Sequence, residues 1–388
     1  MRLIVNCSPL RPPLTGIGHY TREVLLRLIE DPEIDDMEGF YFHRWLSREQ
    51  IRTLLYPIEA SSQTFSRSFA QRVAALPGGR ELYRLAIRWL HRNNLVKRKE
   101  WLYWETNYTP LPFEGKIVTT VYDLSHVRFP QFHPKSRVSF FNNKLPKALS
   151  ESAAILTISD FSAHEIMEFY GIEKTKITIV PPAISPVFHP RTRDEIESFR
   201  RRCFLPPRYL LSVATLEPRK NFKNLCLAYA SLDESIRMAF PLVLAGASGW
   251  LSDDLEALMS PLEEQGHIIR LGYVPASDLP VLYAAADALC YLSLYEGYGM
   301  PIAEAIASNI PVLTSDCTSM PEAGGNRAWY ATPTSVVSIA DMLQKMLSSA
   351  TPLHPHSSAH LPPPRIHSWE NAAASIMALF RFCYNCDQ

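Results

Sequence analysis

The chain has 388 residues, a length that suffices for two globular domains. Of these residues, 47% are hydrophobic and 20% are charged, a composition that excludes extended disorder. Lys plus Arg and Asp plus Glu number 39 each, so no overall charge favours nucleic acid as a partner. The seven cysteines are an odd number and lie mostly in apolar runs, which indicates reduced thiols and a cytoplasmic location.

The N-terminal apolar run, Met1 to Cys7, is too short for a secretory signal. No uninterrupted apolar stretch reaches the length of about 18 residues that predicts a membrane-spanning helix. Cys383 and Cys386 have the spacing of half a zinc site, but no second such pair exists. We therefore predict no metal at these two thiols.

Short β-rich runs alternate with helical patterns along the chain. In the first half we predict strands over residues 3–5, 116–121, 154–158 and 176–180, with a helix over 20–30. In the second half we predict strands over 209–213, 241–245, 267–271, 288–291 and 311–314, and a last helix over 366–382. This alternation predicts parallel sheets with helices on both faces. A Pro-rich stretch after Val180 suits a linker, so we place the domain boundary at about 185–205.

The segment from Glu296 to Glu304 follows a predicted strand and opens a predicted helix. Pro301 fits the first turn, where its missing N–H costs nothing, and Glu304 is expected in the same turn. Both carboxylates would then face one space, where they could accept sugar or ribose hydroxyls. Gly297 and Gly299 leave bare backbone for a close ligand, and the helix start offers N–H groups to a phosphate. The alternative is a helix start whose acids only complement the dipole.

Arg219 and Lys220 belong to a segment, residues 215–221, directly after the strand predicted at 209–213, where ligands bind in open parallel sheets. No Asp-x-Asp sequence is present to hold a divalent metal. We therefore expect these two cations, and no metal, to neutralise a diphosphate leaving group. The alternative is a solvated turn.

Two weaker signals lie in the first half of the chain. Gly16 and Gly18 form a Gly-x-Gly pair in what we expect to be a loop before the first helix. Thr21 occupies the place of the third glycine that dinucleotide binding requires, so NAD is disfavoured. Asp123 follows the strand at 116–121 and could orient an acceptor hydroxyl or accept its proton. Its alternative role is a cap or turn aspartate.

Together these residues resemble glycosyltransferase family four, retaining enzymes of the GT-B fold. The most specific match is the Glu-x₇-Glu motif from Glu296 to Glu304. Further segments similar to the family are residues 16–20, 157–162, 216–221, 272–274 and 368–370. Among its members, the chain most resembles bacterial mannosyltransferases that build O-antigen and related polysaccharides.

The resemblance implies an α/β, GT-B fold of two Rossmann-like domains with a cleft between them. Residues 1–190 would form the acceptor-binding domain and 191–366 the nucleotide-sugar domain, with a C-terminal helix, 367–388, crossing back to the first.

The resemblance also implies a role for each matched residue. Glu304 would bind the donor ribose, and Arg219 with Lys220 the diphosphate. Val274 would contact the nucleobase through its backbone. The remaining donor-binding residues implied for the sugar and phosphates are Gly16, Gly18, Glu296, Gly297, Tyr298, Gly299 and Met300.

The chain departs from the family at two places. Tyr122 stands where members often have a histidine, so our catalytic prediction moves to Asp123, with Lys220, Arg219 and Glu296. Residues 324–329 differ from the usual Gly-Asp-Ala-Ala pattern of a loop beside the donor.

A basic stretch carries Arg80, Arg84, Arg88 and Arg92 at four-residue spacing beside apolar side chains. One interpretation is a helix on the inner face of an anionic membrane. The other is a packed helix with a solvated basic face. No motif that reads nucleic acid accompanies these arginines.

The sequence thus predicts a cytoplasmic retaining hexosyltransferase without a cofactor. It would transfer mannose from GDP-mannose to an oligosaccharide or lipid-linked acceptor. Alternatives are a transferase for another nucleotide sugar, a phosphorylase that uses phosphate as acceptor, and an inactive sugar-binding or scaffold protein.

Overall fold

The computed structural model describes residues 1–12, 14–56, 79–247, 253–349, 353, 358, 361–364 and 367–385. Two separate sheets organise these residues, one in each half of the chain.

The first sheet has seven strands in the order β3-β2-β1-β4-β5-β6-β7. The pairs are parallel except for β3, which returns antiparallel along β2 at the edge. Its central strands are buried on both faces, as parallel strands under two helical layers must be. The strands are β1 (Arg2–Asn6), β2 (Asp36–Tyr41), β3 (Arg44–Leu46), β4 (Leu102–Glu105), β5 (Ile117–Thr120), β6 (Ala154–Thr157) and β7 (Ile177–Ile179).

The second sheet has six strands in the order β10-β9-β8-β11-β12-β13, all parallel. The chain order reverses between β8 and β11, and ligands of open α/β sheets bind at such a switch point. The strands are β8 (Leu210–Val213), β9 (Leu242–Ala245), β10 (Ile268–Gly272), β11 (Ala288–Tyr291), β12 (Val312–Ser315) and β13 (Ala328–Ala331).

Helices connect the strands of both sheets. Those up to β7 are α1 (Gly16–Leu28), α2 (Arg48–Leu55), α3 (Gly79–Val96), α4 (Ser125–Arg128), α5 (Lys135–Glu151) and α6 (Asp160–Tyr170). Those after β7 are α7 (Arg193–Cys203), α8 (Phe222–Ala230), α9 (Glu234–Ala239), α10 (Asp253–Glu264), α11 (Leu279–Ala284), α12 (Met300–Ala307), α13 (Met320–Gly324), α14 (Val336–Ser348) and α15 (Trp369–Asn385).

The last helix, α15, packs on the first half of the molecule. Phe380 is fully buried, with its ring 5.6 Å from that of Trp104 in β4. Trp369 lies 5.7 Å from the ring of Tyr20 in α1, and Glu370 forms an ion pair of 2.8 Å with Arg27. The chain therefore crosses back from the second sheet to the first.

The structure differs from the sequence-based expectations at several elements. Strands β2, β3, β4 and β13 were not predicted. Helix α7 occupies much of the expected linker, because Thr192 and Glu195 form a capping box and Phe199 is buried. The two sheets separate between β7 and β8, while the domain limits of 190 and 366 stay a prediction.

Two further expectations about helix starts were wrong. Gly16 and Gly18 do not precede the first helix but lie in its first turn, because the Thr15 side chain accepts the N–H of Gly18 and caps α1. Glu304 lies beyond the first turn of α12, since that helix begins at Met300.

Candidate active site

Two cations are held in a tight turn after β8. Arg219 and Lys220 end a 3-10 turn, and Asn221 follows in the left-handed region with φ of 59°. The buried Asn221 amide donates to the carbonyls of Leu292 (2.9 Å) and Pro333 (2.7 Å). This anchorage fixes the turn against the loop that follows β11.

Glu296, in that loop, receives both cations. Its Oε1 lies 2.6 Å from Lys220 Nζ, and its Oε2 lies 3.0 Å from an Arg219 nitrogen. The Tyr291 hydroxyl donates to Oε1 at 2.8 Å, and Lys220 also donates to that hydroxyl at 3.0 Å. Glu217 adds a carboxylate 3.2 Å from Arg219. The structure therefore brings together three predicted residues and adds two that the sequence analysis missed.

The charges of this cluster act on one another's pKa values. Burial opposes ionisation of Glu296, but Lys220 and Arg219 outweigh it and hold the pKa of its carboxyl at about 2. Burial lowers the pKa of Lys220, and Glu296 opposes that shift. For Arg219, burial is outweighed by Glu296 and other nearby acids, which raise its pKa. The cluster is thus a preformed pair of cations with an internal counter-ion.

The backbone after Glu296 is shaped by contacts from both halves of the chain. A Cβ at Gly297 would lie 2.3 Å from the Tyr122 carbonyl oxygen and 3.1 Å from Asp123 Cβ, so Gly297 admits the first domain rather than a ligand. Gly299 has φ of 110°, a backbone conformation that favours glycine at this position. Met300 is half-buried at the start of α12. Tyr298 is buried and its carbonyl accepts the Ser319 hydroxyl at 3.0 Å.

The second acid of the motif has a different neighbour. Glu304 is half-buried in α12, and burial raises its pKa to about 7, with a smaller opposing effect of the Tyr283 hydroxyl. The pKa values of the two acids are therefore shifted in opposite directions, that of Glu296 lowered by two cations and that of Glu304 raised by burial. Because its pKa lies near neutrality, Glu304 can donate or accept a hydrogen bond.

The remaining predicted donor residues lie in separate elements. Val274 follows β10 by two positions and is half-buried. A Cβ at Gly18 would lie 2.6 Å from the Pro9 carbonyl, so this glycine serves the packing of α1. Gly16 has open space where its Cβ would be, which leaves room for a ligand.

Asp123 lies at the carboxyl end of β5, facing the second domain. Its Oδ1 accepts the Ser125 N–H at 3.0 Å and the Ser125 hydroxyl at 2.8 Å. Two histidines complete the surroundings. Burial lowers the pKa of His126 to about 4, and burial with Arg137 lowers that of His133. His133 lies 3.1 Å from the Ser125 hydroxyl, an arrangement that the sequence analysis missed.

Tyr295 links the two halves of this site. Its buried hydroxyl accepts the N–H of Leu124 at 2.8 Å and donates to Glu165 of α6, whose other oxygen binds Arg128 at 2.7 Å. Its carbonyl accepts a hydrogen bond from Arg219 at 2.7 Å. Tyr295 therefore connects the Asp123 loop with the cation cluster; its position next to Glu296 was the only sequence signal.

Comparison with known proteins places the chain in a family. The family model of glycosyl transferases group 1 matches residues 194–357. The chain is also 33% identical over 385 residues to O-antigen chain mannosyltransferase B of Escherichia coli, covering 98% of this chain and 100% of that protein. The chain belongs to the group 1 glycosyltransferases, glycosyltransferase family four. It is therefore an enzyme that transfers a glycosyl group, as the sequence predicted.

Two further similarities agree with this assignment. The glycosyltransferase is 25% identical to O-antigen chain mannosyltransferase RfbU of Salmonella typhimurium, over 85% of this chain and 87% of that one. Its fold superposes with a TM-score of 0.69 on Anabaena HepE, solved with UDP-glucose. That match covers 98% of this chain and 100% of HepE at 15% identity. The predicted GT-B fold is confirmed.

Metal-binding and membrane-spanning features are the remaining structural aspects of the glycosyltransferase. Within the described ranges, no group of three His, Cys, Asp or Glu side chains could hold a metal ion. In the same part of the chain, no helix is both long and apolar enough to cross a bilayer. Of the basic stretch, Arg92 is exposed, whereas the side chains of Arg80, Arg84 and Arg88 lie outside the described residues, as does Cys386.

Proposed function

We propose that this glycosyltransferase transfers mannose from GDP-mannose, with retention of anomeric configuration, to a lipid-linked saccharide in O-antigen or related polysaccharide biosynthesis. The names of the two mannosyltransferase relatives, one matched along nearly its whole length, support the sugar and the pathway class. The nucleotide-sugar part of the proposal is supported by HepE, which was solved with UDP-glucose.

The observation that carries the chemistry is the cluster of Arg219, Lys220 and Glu296. A diphosphate entering here meets two buried cations at fixed positions. It can replace Glu296 as their counter-ion, because its charge is larger and its oxygens suit both cations. Glu296 then becomes available to accept hydroxyl groups of the sugar. Preorganised charge of this kind stabilises a leaving group without reorganisation during the reaction.

The transfer proceeds at the anomeric carbon of the donor. The bond from this carbon to the diphosphate oxygen breaks as negative charge develops on the oxygen beside Lys220 and Arg219. The acceptor hydroxyl forms its bond on the same face of the sugar and passes its proton to the departing phosphate. Asp123, across the cleft, orients the acceptor hydroxyl. Because the cations neutralise the leaving group, this scheme uses no metal and no other cofactor.

The lipid-linked acceptor also bears on the location of the enzyme. A lipid-linked acceptor lies at a membrane surface, so we place the enzyme on the cytoplasmic face of the cytoplasmic membrane. The basic stretch with Arg80, Arg84, Arg88 and Arg92 would attract anionic lipid there.

Donor screening tests the proposal. Thermal unfolding is followed with GDP-mannose, UDP-glucose, UDP-N-acetylglucosamine and GDP, since a ligand of the folded state raises the midpoint. We expect stabilisation by GDP-mannose and GDP, and transfer of radiolabelled mannose to a mannoside. Stabilisation by UDP-glucose alone would reassign the donor. Release of mannose 1-phosphate on adding inorganic phosphate would identify a phosphorylase. Binding of the donor without transfer or hydrolysis would identify an inactive protein.

A further inference from the structure

An open pocket lies along the N-terminal half of α5. It encloses about 780 Å³, within the range of about 300–1,000 Å³ typical of small-molecule sites. One wall comes from residues just before α5, including Gln131 and His133, and the other from Ser139, Asn142 and Asn143. The cation cluster lies in the second domain and lines no part of this pocket.

His133 connects this pocket to the reaction centre. Its Nε2 lies 3.1 Å from the Ser125 hydroxyl, which in turn donates to Asp123 Oδ1 at 2.8 Å. A ligand in the pocket is therefore about two hydrogen bonds away from the carboxylate that we assign to the acceptor hydroxyl. The charges of Arg219 and Glu217 also act on the pKa of His133, so His133 lies within electrostatic reach of the donor side.

The chemistry of the walls is that of neutral polar recognition. Gln131, Asn142 and Asn143 offer amides, which both donate and accept hydrogen bonds, and Ser139 adds a hydroxyl. Val138 and Pro130 add apolar surface for the C–H faces of a sugar ring. Among the described lining residues, none carries a carboxylate and Lys135 is the one cation. A lipid diphosphate needs several cations, so these walls fit a neutral saccharide better.

We propose that this pocket binds the inner sugar residues of a neutral oligosaccharide acceptor while its terminal hydroxyl lies at Asp123. The assignment rests on the proposed function, since it presupposes a saccharide acceptor. It adds that the enzyme recognises inner sugar residues of the acceptor as well as the terminal one. Longer acceptors then bind more tightly, up to the number of residues that the pocket holds.

The test is a double variant, Asn142→Ala with Asn143→Ala. Both side chains are exposed and alanine favours a helix, so folding is not at risk. The matched control changes two exposed asparagines of other helices, Asn93→Ala with Asn371→Ala. Kinetics are measured with methyl α-mannoside and with an α-linked mannotriose as acceptors. Binding of mannotriose without donor is followed by saturation-transfer NMR.

We expect the pocket variant to raise KM for mannotriose by roughly ten- to fiftyfold, as for one or two lost hydrogen bonds. KM for methyl α-mannoside and for the donor should stay within about threefold, and the control should match the parent. Equal losses with both acceptors, or none with mannotriose, would overturn the pocket assignment. If no donor supports transfer, the proposed function fails, and the NMR signal of mannotriose and its loss in the variant still decide the pocket.

Discussion

The two strand ends that meet at the cleft are built differently. After β8 and β11, Arg219, Lys220 and Glu296 form a buried cluster whose side chains are only 10–17% exposed and whose charges compensate one another. After β5, Asp123 is half-buried, bound to one serine, and flanked by histidines whose pKa values are lowered. The donor side is thus charged and closed, whereas the acceptor side is polar and open.

The difference follows what each side binds. A diphosphate leaving group has the same charge whatever sugar it carries, so fixed cations can be buried to receive it. Burying them is tolerable because Glu296 and Glu217 balance their charge before the donor arrives. A saccharide acceptor offers neutral hydroxyl groups, which need hydrogen bonds and space. Five changes to the chain break or sharpen this comparison, from the largest expected effect to the smallest.

Removing a cation tests the donor side most directly. We expect Lys220→Ala to lower kcat on the order of a hundredfold or more, the cost of losing one preorganised charge, about 3 kcal/mol. Steady-state transfer is the measurement, with thermal unfolding to check the fold, because Arg219 remains to pair Glu296.

The matched control for this variant is Lys223→Ala, one turn along in α8. Lys223 is more than half exposed and pairs with Asp254 at 3.2 Å, so its loss should leave kcat unchanged. Near-normal turnover of Lys220→Ala would remove Lys220 from the mechanism. Activity should persist in EDTA; its abolition by chelation and rescue by Mn²⁺ would contradict the metal-free scheme.

Neutralising the acceptor-side carboxylate should separate transfer from donor binding. Asp123→Asn keeps the oxygen that accepts the Ser125 hydrogen bonds but loses the charge. We expect transfer to fall roughly 10- to 100-fold, the worth of a hydrogen bond to a charged group. The nucleotide Kd, measured by titration calorimetry, should stay within about threefold. Equal losses in both quantities would make Asp123 a structural residue.

Tyr295 joins the two sides, so removing its hydroxyl should weaken their alignment. We expect Tyr295→Phe to lower kcat about three- to tenfold while the donor Kd and donor KM hold, since no donor-side charge is lost. Tyr295 would then be a positioning residue whose hydroxyl acts through the N–H of Leu124, next to Asp123.

The control is Tyr229→Phe, which removes a buried hydroxyl bound to backbone carbonyls away from the cleft. It should lower the unfolding midpoint and leave kcat unchanged. If both tyrosine variants lose activity only in proportion to stability, the positioning role is wrong.

The second acid of the donor motif predicts a pH effect. Burial raises the pKa of Glu304 to about 7 from the ordinary 4.5, so between these values the folded chain binds more protons than the unfolded one. Its contribution to stability therefore falls as the pH rises from about 4.5 through 7. The glutamine of Glu304→Gln stays neutral at every pH. The unfolding midpoint of this variant minus that of the parent should therefore increase by about 2 °C from pH 5 to pH 8. A pH-independent difference between the two would contradict the raised pKa.

The basic stretch should matter least for turnover in solution. Changing Arg80, Arg84, Arg88 and Arg92 to Gln should nearly abolish sedimentation with anionic vesicles, since each charge near the surface is worth about 1 kcal/mol. Transfer to a soluble saccharide should stay within about twofold. Binding of the parent should weaken as salt rises from about 0.1 M to 1 M. If the parent enzyme does not sediment with anionic vesicles at low salt, the membrane role is wrong and the arginines are only a solvated basic face.

The sequence predicted the elements whose signal is local. Strands β8, β9, β11 and β12 each begin with apolar residues, and each was predicted to within one residue at either end. Strand β2 was missed because Asp36, Glu38 and Gly39 break its apolar pattern. It is a strand because it pairs with β1 along five residues, a contact that no local window contains.

The candidate site divides in the same way. Arg219, Lys220, Glu296 and Asp123 could be chosen from the sequence, because each lies in the segment after a strand, at the edge where parallel sheets bind ligands. The ion pairs among the first three, separated by more than 70 residues, could not. Nor could His133 or Glu165, which lie outside the residues that matched the family.

By itself, the sequence determined the two mainly parallel sheets, the family, and the acids and cations that lie after the strands. It could do so because strand periodicity and motif spacing are local properties. Only the tertiary structure decided that Gly297 packs on the Tyr122 carbonyl, that Tyr295 enters the first domain, and that Glu296 and Glu304 differ in protonation. The physical reason is that burial and charge pairing depend on groups brought together from distant parts of the chain. A carboxylate has the same formula at both positions, and its neighbours in space set its pKa.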